Sequence, residues 1–227
     1  STPILTSMAL IRSVFQDELD GVSQSLVDLS NMASDAMHSA TRALLEADLK
    51  IAEEVISYDE KIDLYQHDLD TRIIDIIARQ QPVASDLRAL VTALRMSADL
   101  ERMGDLAHHI AKVARLRHPE KVIPAELHDL VNHIGSVAEN ISRKIPTVIE
   151  TRDIEMALQL EKDDDEMDKL HRQLIGAITN NSWTHGVETA VDITLLGRYY
   201  ERFADHAVSV SNRVYFLVTG TFANSTR

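Results

Sequence analysis

The chain has 227 residues, 44% hydrophobic and 26% charged, with a formal net charge of −13 and no cysteine. That balance suits a globular protein of one or two domains and argues against a nucleic-acid partner, since phosphate backbones are gripped by clustered Lys and Arg. It also disfavours free phosphate as a tightly held ligand unless a metal or a basic pocket overrides the field, and the missing cysteine excludes disulfides, thiolate metal sites and cysteine nucleophiles.

Glycine (7) and proline (5) are scarce and aromatics make up 4%, a composition for long helices rather than sheets. Apolar residues recur at helical spacing along nearly the whole chain, and no segment alternates as a half-buried strand does. Six helices are predicted, over 7–46, 48–79, 82–115, 124–150, 153–180 and 185–219. The third is expected to start at Gln81-Pro82, because Pro suits the first helical position. The fourth starts at Ile123-Pro124, after the His118-Pro119 loop, and Pro146 should kink or end it. Asn180-Asn181-Ser182 and Thr184-His185-Gly186 form a polar turn before the sixth. No run of about 18 apolar residues could span a bilayer, and the N-terminus lacks the features of a secretory signal. A soluble, cytoplasmic protein is the expectation.

The chain repeats itself. Glu101-Arg102-Met103-Gly104-Asp105-Leu106-Ala107 returns as Glu201-Arg202-Phe203-Ala204-Asp205-His206-Ala207. Upstream, Asp48, Ala52, Asp59, Asp63 and Leu69 return as Asp153, Ala157, Asp164, Asp168 and Leu174. The offset is 105 before the turn and 100 after it, so the second copy has a shorter connection. An all-α protein follows, built as two tandem three-helix bundles over 1–117 and 122–227. Each helix of about 30 residues would be about 45 Å long.

Each copy carries two acidic pairs at i, i+4: Asp59/Asp63 and Glu101/Asp105, then Asp164/Asp168 and Glu201/Asp205. One such pair means little among 36 acidic residues. These recur at matching places, however, and they lie on or beside an apolar stripe. Leu87, Val91, Leu94 and Ala98 lead into Glu101 and Asp105, while Asp59 is in line with Val55 and Ile62. Their heights also agree. The first two pairs centre on residues 61 and 103, midway about Pro82, and the second two on 166 and 203, midway about 184.5 in the next turn. Residues equidistant from a hairpin turn face each other, so four carboxylates should meet at one level in each copy. They cannot stay close and ionised without protons, arginine partners or a cation. Arg72, Arg95, Arg102, Arg198 and Arg202 are near in sequence, but Arg102 and Arg202 should point about 100° away from the adjoining glutamates. A cation is therefore favoured, with Mg²⁺, Ca²⁺ or Mn²⁺ suited to oxygen ligands and iron or zinc also held by carboxylates.

At these residues the chain resembles the PhoU family. The segment Ala78-Arg79-Gln80-Gln81-Pro82-Val83-Ala84-Ser85-Asp86-Leu87-Arg88, followed by Asp99-Leu100-Glu101-Arg102-Met103-Gly104-Asp105, looks like that family's central signature. Arg198-Tyr199-Tyr200-Glu201-Arg202-Phe203-Ala204-Asp205-His206 looks like its second-half counterpart. The resemblance, which runs over most of the chain, implies a six-helix protein that is not itself an enzyme. It implies partners too: the phosphate ABC transporter, through its ATPase subunit, and a phosphate-responsive histidine kinase. With them such a protein limits uptake and keeps starvation genes off when phosphate is plentiful. A homodimer is expected. The family's E(D)xxxD motifs, which can hold multinuclear metal clusters of Mg, Mn, Fe or Zn, fall on Asp59 to Asp63, Glu101 to Asp105, Asp164 to Asp168 and Glu201 to Asp205. The chain departs from the pattern at Phe203-Ala204, where an aliphatic–Gly pair is usual, and in starting the first motif of each copy with Asp.

Two other readings compete. Ferritin-like di-metal oxidoreductases also pair carboxylates in bundles, but with two Glu-x-x-His motifs projecting into one core. Here Asp105/His108 and Asp168/His171 lie on non-equivalent helices and should not converge. A metal-free helical adaptor, meeting partners through its acidic faces, is the second. His108, His109 and His206 are expected to be surface or packing residues. No glycine-rich phosphate loop, HExxH or Ser-His-Asp arrangement can be assembled.

Overall fold

Asp48 and Asp153, matched by the repeat, do the same work. Asp48 Oδ1 accepts from the Ile51 N–H at 3.0 Å, and Asp153 Oδ1 accepts from Glu155 and Met156 at 2.9 and 3.2 Å. Each carboxylate satisfies donors left free in a first helical turn and sits at the positive end of the helix dipole. The computed structural model describes residues 2–220, with side chains from residue 7 onward. Its elements are α1 (Thr2–Glu46), α2 (Leu49–Gln80), α3 (Ala84–Arg117), a 3₁₀ turn (Ala125–Leu127), α4 (His128–Arg143), α5 (Ile145–Thr151), α6 (Ile154–Ile178) and α7 (Gly186–Thr219).

The six expected helices are all present, the fourth in two pieces. Its break falls at Lys144, and Pro146 sits in the first turn of α5, where its missing N–H costs no helical bond. Pro82 does not open α3. Gln81 takes a left-handed conformation (φ 45°) and caps α2, Val83 is extended, and the helix starts at Ala84. A left-handed C-cap returns an N–H to the last turn, here Gln81 to the Ile77 carbonyl at 3.1 Å.

Helices α2, α3, α7 and α6 lie side by side, with α1 packed behind α2 and α3, and α4 and α5 behind α7 and α1. One buried apolar cluster draws on every long helix of both repeats. Gly104 lets α2 approach α3, since a Cβ there would lie 2.9 Å from Ile62 Cδ1. Its repeat partner Ala204 is fully buried, so the second copy accepts the extra methyl.

The apolar stripe read on α3 needs correction. Leu87 and Val91 are 38% and 37% exposed, while Leu90, Ala93, Met96, Leu100 and Met103 face the core. Since α3 touches α1, α2 and α7, it carries apolar residues on several sides and periodicity alone does not single out one face. Among the described residues, no helix is long and apolar enough to cross a membrane.

Candidate metal centres

The first acidic cluster stands where α2 meets α3. Asp59 is largely buried, with 14% of its side chain exposed, and its pKa is pushed up to about 6 by burial and then by the charges of Asp63 and Asp105. Glu101 is pushed up to about 7 by burial, then by Asp63 and Asp105; Arg102 pulls it back only partly. Asp63 on α2 thus acts on Glu101 of α3, so acids of the two helices face each other. All four residues named from the sequence therefore lie within one another's field.

The second cluster repeats this between α6 and α7. Burial pushes Asp164 up to about 7, followed by the charges of Asp205, Asp168, Asp165 and Glu201. Asp205 is raised by burial and by Glu201 and Asp168, with Arg198 and His206 opposing. Hairpin geometry explains both levels, because the cluster sits about the same number of residues from the turn on either helix.

Basic groups stand closer than sequence spacing suggests. Arg102 does not point clear of the site: its Nη1 reaches back to Asp105 Oδ2 at 3.7 Å, three residues along the helix. A long flexible side chain overrides the direction of its Cα–Cβ bond. In the second cluster Arg198, rather than Arg202, contacts Glu201, at 3.1 Å. His108 Nδ1 lies 3.6 Å from Asp59 Oδ2 and His109 Nε2 3.4 Å from Asp105 Oδ2, while His171 Nδ1 lies 3.4 Å from Glu201 Oε2. His108 and His171 thus belong to different clusters.

These residues suit a cation in two respects. Asp59 Oδ1 and Asp164 Oδ1, at matched repeat positions, are buried with no hydrogen-bond partner, and so is His108 Nδ1. A buried acceptor without a partner costs about 1–3 kcal/mol, which a coordinating cation would relieve. The donors are carboxylate oxygens, the ligand type of Mg²⁺, Ca²⁺ and Mn²⁺. In a third respect the sites are open: among the described residues no three His, Asp or Glu side chains are drawn into a closed ligand set. A cation would have to pull the acids together against their repulsion.

Sequence reasoning missed a third acidic centre, between the repeats. Asp99, only 9% exposed, accepts from Ser209 and Arg213 at 3.1 and 3.0 Å and pairs with His206 Nδ1 at 3.0 Å. Burial pushes its carboxyl up, but the His206 and Arg213 hydrogen bonds outweigh that and hold it below the usual range. Arg117 makes a two-pronged bond to Asp192, at 2.8 and 3.1 Å, across the same α3–α7 seam. A signal was available. Asp99 falls between Met96 and Met103 on the buried face, and a charge in such a stripe calls for a partner.

A family model described as PhoU domain matches residues 26–114 and 131–214. The phosphate-specific transport system accessory protein PhoU homolog 1 of Mycobacterium leprae is 46% identical over 212 residues, covering 93% of this chain and 96% of the relative. PhoU homolog 2 of Mycobacterium tuberculosis is 45% identical, over 93% of this chain and 100% of its own. Among solved structures, PhoU from Pseudomonas aeruginosa superposes with a TM-score of 0.82 at 28% identity, over 91% of this chain and 100% of that one. A phosphate transport system regulatory protein from Streptococcus pneumoniae shares the fold, with a TM-score of 0.83 at 24% identity.

Proposed function

The chain belongs to the PhoU family, and from that premise we propose that it links a phosphate ABC transporter to a phosphate-responsive histidine kinase as a cation-holding helical adaptor. Its broad role is regulation of phosphate transport, as an accessory protein and not an enzyme. The observation that carries this is coverage. The mycobacterial relatives match over nine-tenths of both chains, so the whole double repeat is shared rather than one module. In the finer reading the protein acts in the cytoplasm, as a homodimer. It docks on the transporter's ATPase subunit and on the kinase, and keeps the starvation response off when phosphate is plentiful.

The eight acids supply the cation sites: Asp59, Asp63, Glu101 and Asp105 in the first repeat, and Asp164, Asp168, Glu201 and Asp205 in the second. A bound cation supplies the positive charge that lets four neighbouring carboxylates remain ionised. Arg102 and Arg198 neutralise part of that charge from the rim, and the buried oxygens of Asp59 and Asp164 are the deepest donors. The open spacing of the acids supports a second reading, in which they serve as a docking surface without metal.

The reading is tested by adding the protein to reconstituted transporter and kinase at high phosphate. Transporter ATPase activity and kinase autophosphorylation are both expected to fall at stoichiometric protein. Unchanged rates in both assays would overturn it.

A further inference from the structure

A cavity of about 430 Å³ opens between the start of α3 and the end of α7. It lies within the roughly 300–1,000 Å³ range of binding pockets. Leu87, Val91 and Phe216 give it apolar walls, and Arg88, Arg95 and Arg213 stand around them. Arg213 is tethered to Asp99, which fixes one wall. Arg88 and Arg95 are exposed and form no ion pair among the described residues. In a chain of net charge −13 three arginines around one apolar groove reverse the overall field locally.

The repeat sharpens the point. On α7 the matching positions are Val187, Glu188, Val191 and Leu195. The apolar spacing is kept there, Arg88 is replaced by the opposite charge, and Arg95 by leucine. The basic rim is therefore peculiar to the first copy and is not a by-product of duplication. Arg88 and Arg95 are seven residues apart, on one side of α3, about 10 Å along its axis. Two guanidinium forks at that separation fit carboxylates two turns apart on another helix better than one small anion.

We infer that this groove docks an acidic amphipathic helix from a partner protein, its apolar side chains entering between Leu87, Val91 and Phe216 and its carboxylates meeting Arg88 and Arg95. Helix-in-groove recognition has this form: anchors at i, i+3 or i+4 and i+7, with charge setting orientation and partner choice. A long polyanion is a poorer occupant, because the rest of the chain repels it. The inference rests on the adaptor reading only for the expectation that a protein partner exists.

The test is fluorescence anisotropy with three labelled helical peptides and the full chain. One peptide carries a leucine face flanked by glutamates seven residues apart, the second has lysines in place of the glutamates, and the third is a scramble of the first. The acidic amphipathic peptide is expected to bind best. Its affinity should fall at least about tenfold in Arg88→Glu/Arg95→Glu, while Lys169→Glu/Arg172→Glu on α6, an equal charge change at exposed sites, leaves it unchanged. Equal binding of the scramble would mark a surface that attracts any anionic peptide and overturn the inference. So would equal loss in the α6 variant, or no binding below about 1 mM. Neither result bears on the transporter and kinase assays, so the two readings fail separately.

Discussion

Asp99→Ala is expected to lower the melting temperature by about 5–10 °C. The carboxylate joins α3 to α7 by three contacts, and its removal strands His206, Ser209 and Arg213 against a mostly buried seam. Breaking a buried ion pair from one side costs about 3–5 kcal/mol. Arg213 and His206 are 29% and 24% exposed, so water takes over part of the role and about 2–3 kcal/mol is a fairer figure here. For a chain of this length each kcal/mol moves the midpoint by about 2–4 °C. Asp99→Asn, which keeps the shape and one acceptor, should lose less. Arg117 still bridges to Asp192 and Glu188 in both variants, so the repeats remain joined and the fold should survive. Thermal denaturation followed by circular dichroism decides it. A midpoint within about 2 °C of the parent would mean that the Asp99 network contributes little to the seam.

Acidification should stabilise the cation-free protein. Asp59 is raised to about 6, and Glu101 and Asp164 to about 7, from ordinary values of 3.8, 4.5 and 3.8. Between the ordinary and raised values the folded chain holds protons that the unfolded chain has lost. Stability is then greatest at the acid end of this window and falls as pH rises through it, by up to about 1.4 kcal/mol per pH unit for each excess proton. Asp99, Glu18 and Glu126 are shifted the other way and oppose this only below the usual carboxylate range, while His108, held below the ordinary histidine value by burial, opposes it within the window as one group against three. The melting temperature should therefore drop from pH 5 to pH 8. Mn²⁺ at a hundredfold excess over its Kd should restore about 3 kcal/mol per occupied site at pH 8. The gain should fade toward pH 5, where protons occupy the same carboxylates. A midpoint that climbs from pH 5 to pH 8 without cation would contradict the account, as would an equal Mn²⁺ gain at both ends.

Local signals in the chain were readable, and non-local ones largely were not. Pro146 divides the fourth helix because its ring fits only the first turn of the piece that follows, and Asp48 and Asp153 recur because both cap helices; each is a matter of a few neighbouring residues. The height of the acid clusters also follows from one hairpin, since Asp63 and Glu101 are equidistant from a turn whose position proline and a left-handed Gln81 mark. The seam between the repeats has no such ruler. Nothing in the spacing of Asp99 and Arg213, more than a hundred residues apart, says that α3 and α7 lie side by side. The same ignorance misplaced the outer stripe of Leu87 and Val91, which looks like core until α1 and α7 are seen to occupy the other faces. Arg102 departs from its expected direction for another reason: Cβ direction limits a short side chain but not one that can curl to Asp105, three residues onward.

The central claim, that the facing carboxylates hold a cation in each repeat, is tested most directly by metal analysis of protein purified without chelator, beside Glu101→Ala/Glu201→Ala. The account predicts bound Mg, Mn, Fe or Zn in the parent, lost in a double variant whose helix content is unchanged. Metal absent from the parent even after loading with each of these ions, or retained undiminished in the variant, would contradict it and leave the acids as a partner-docking surface.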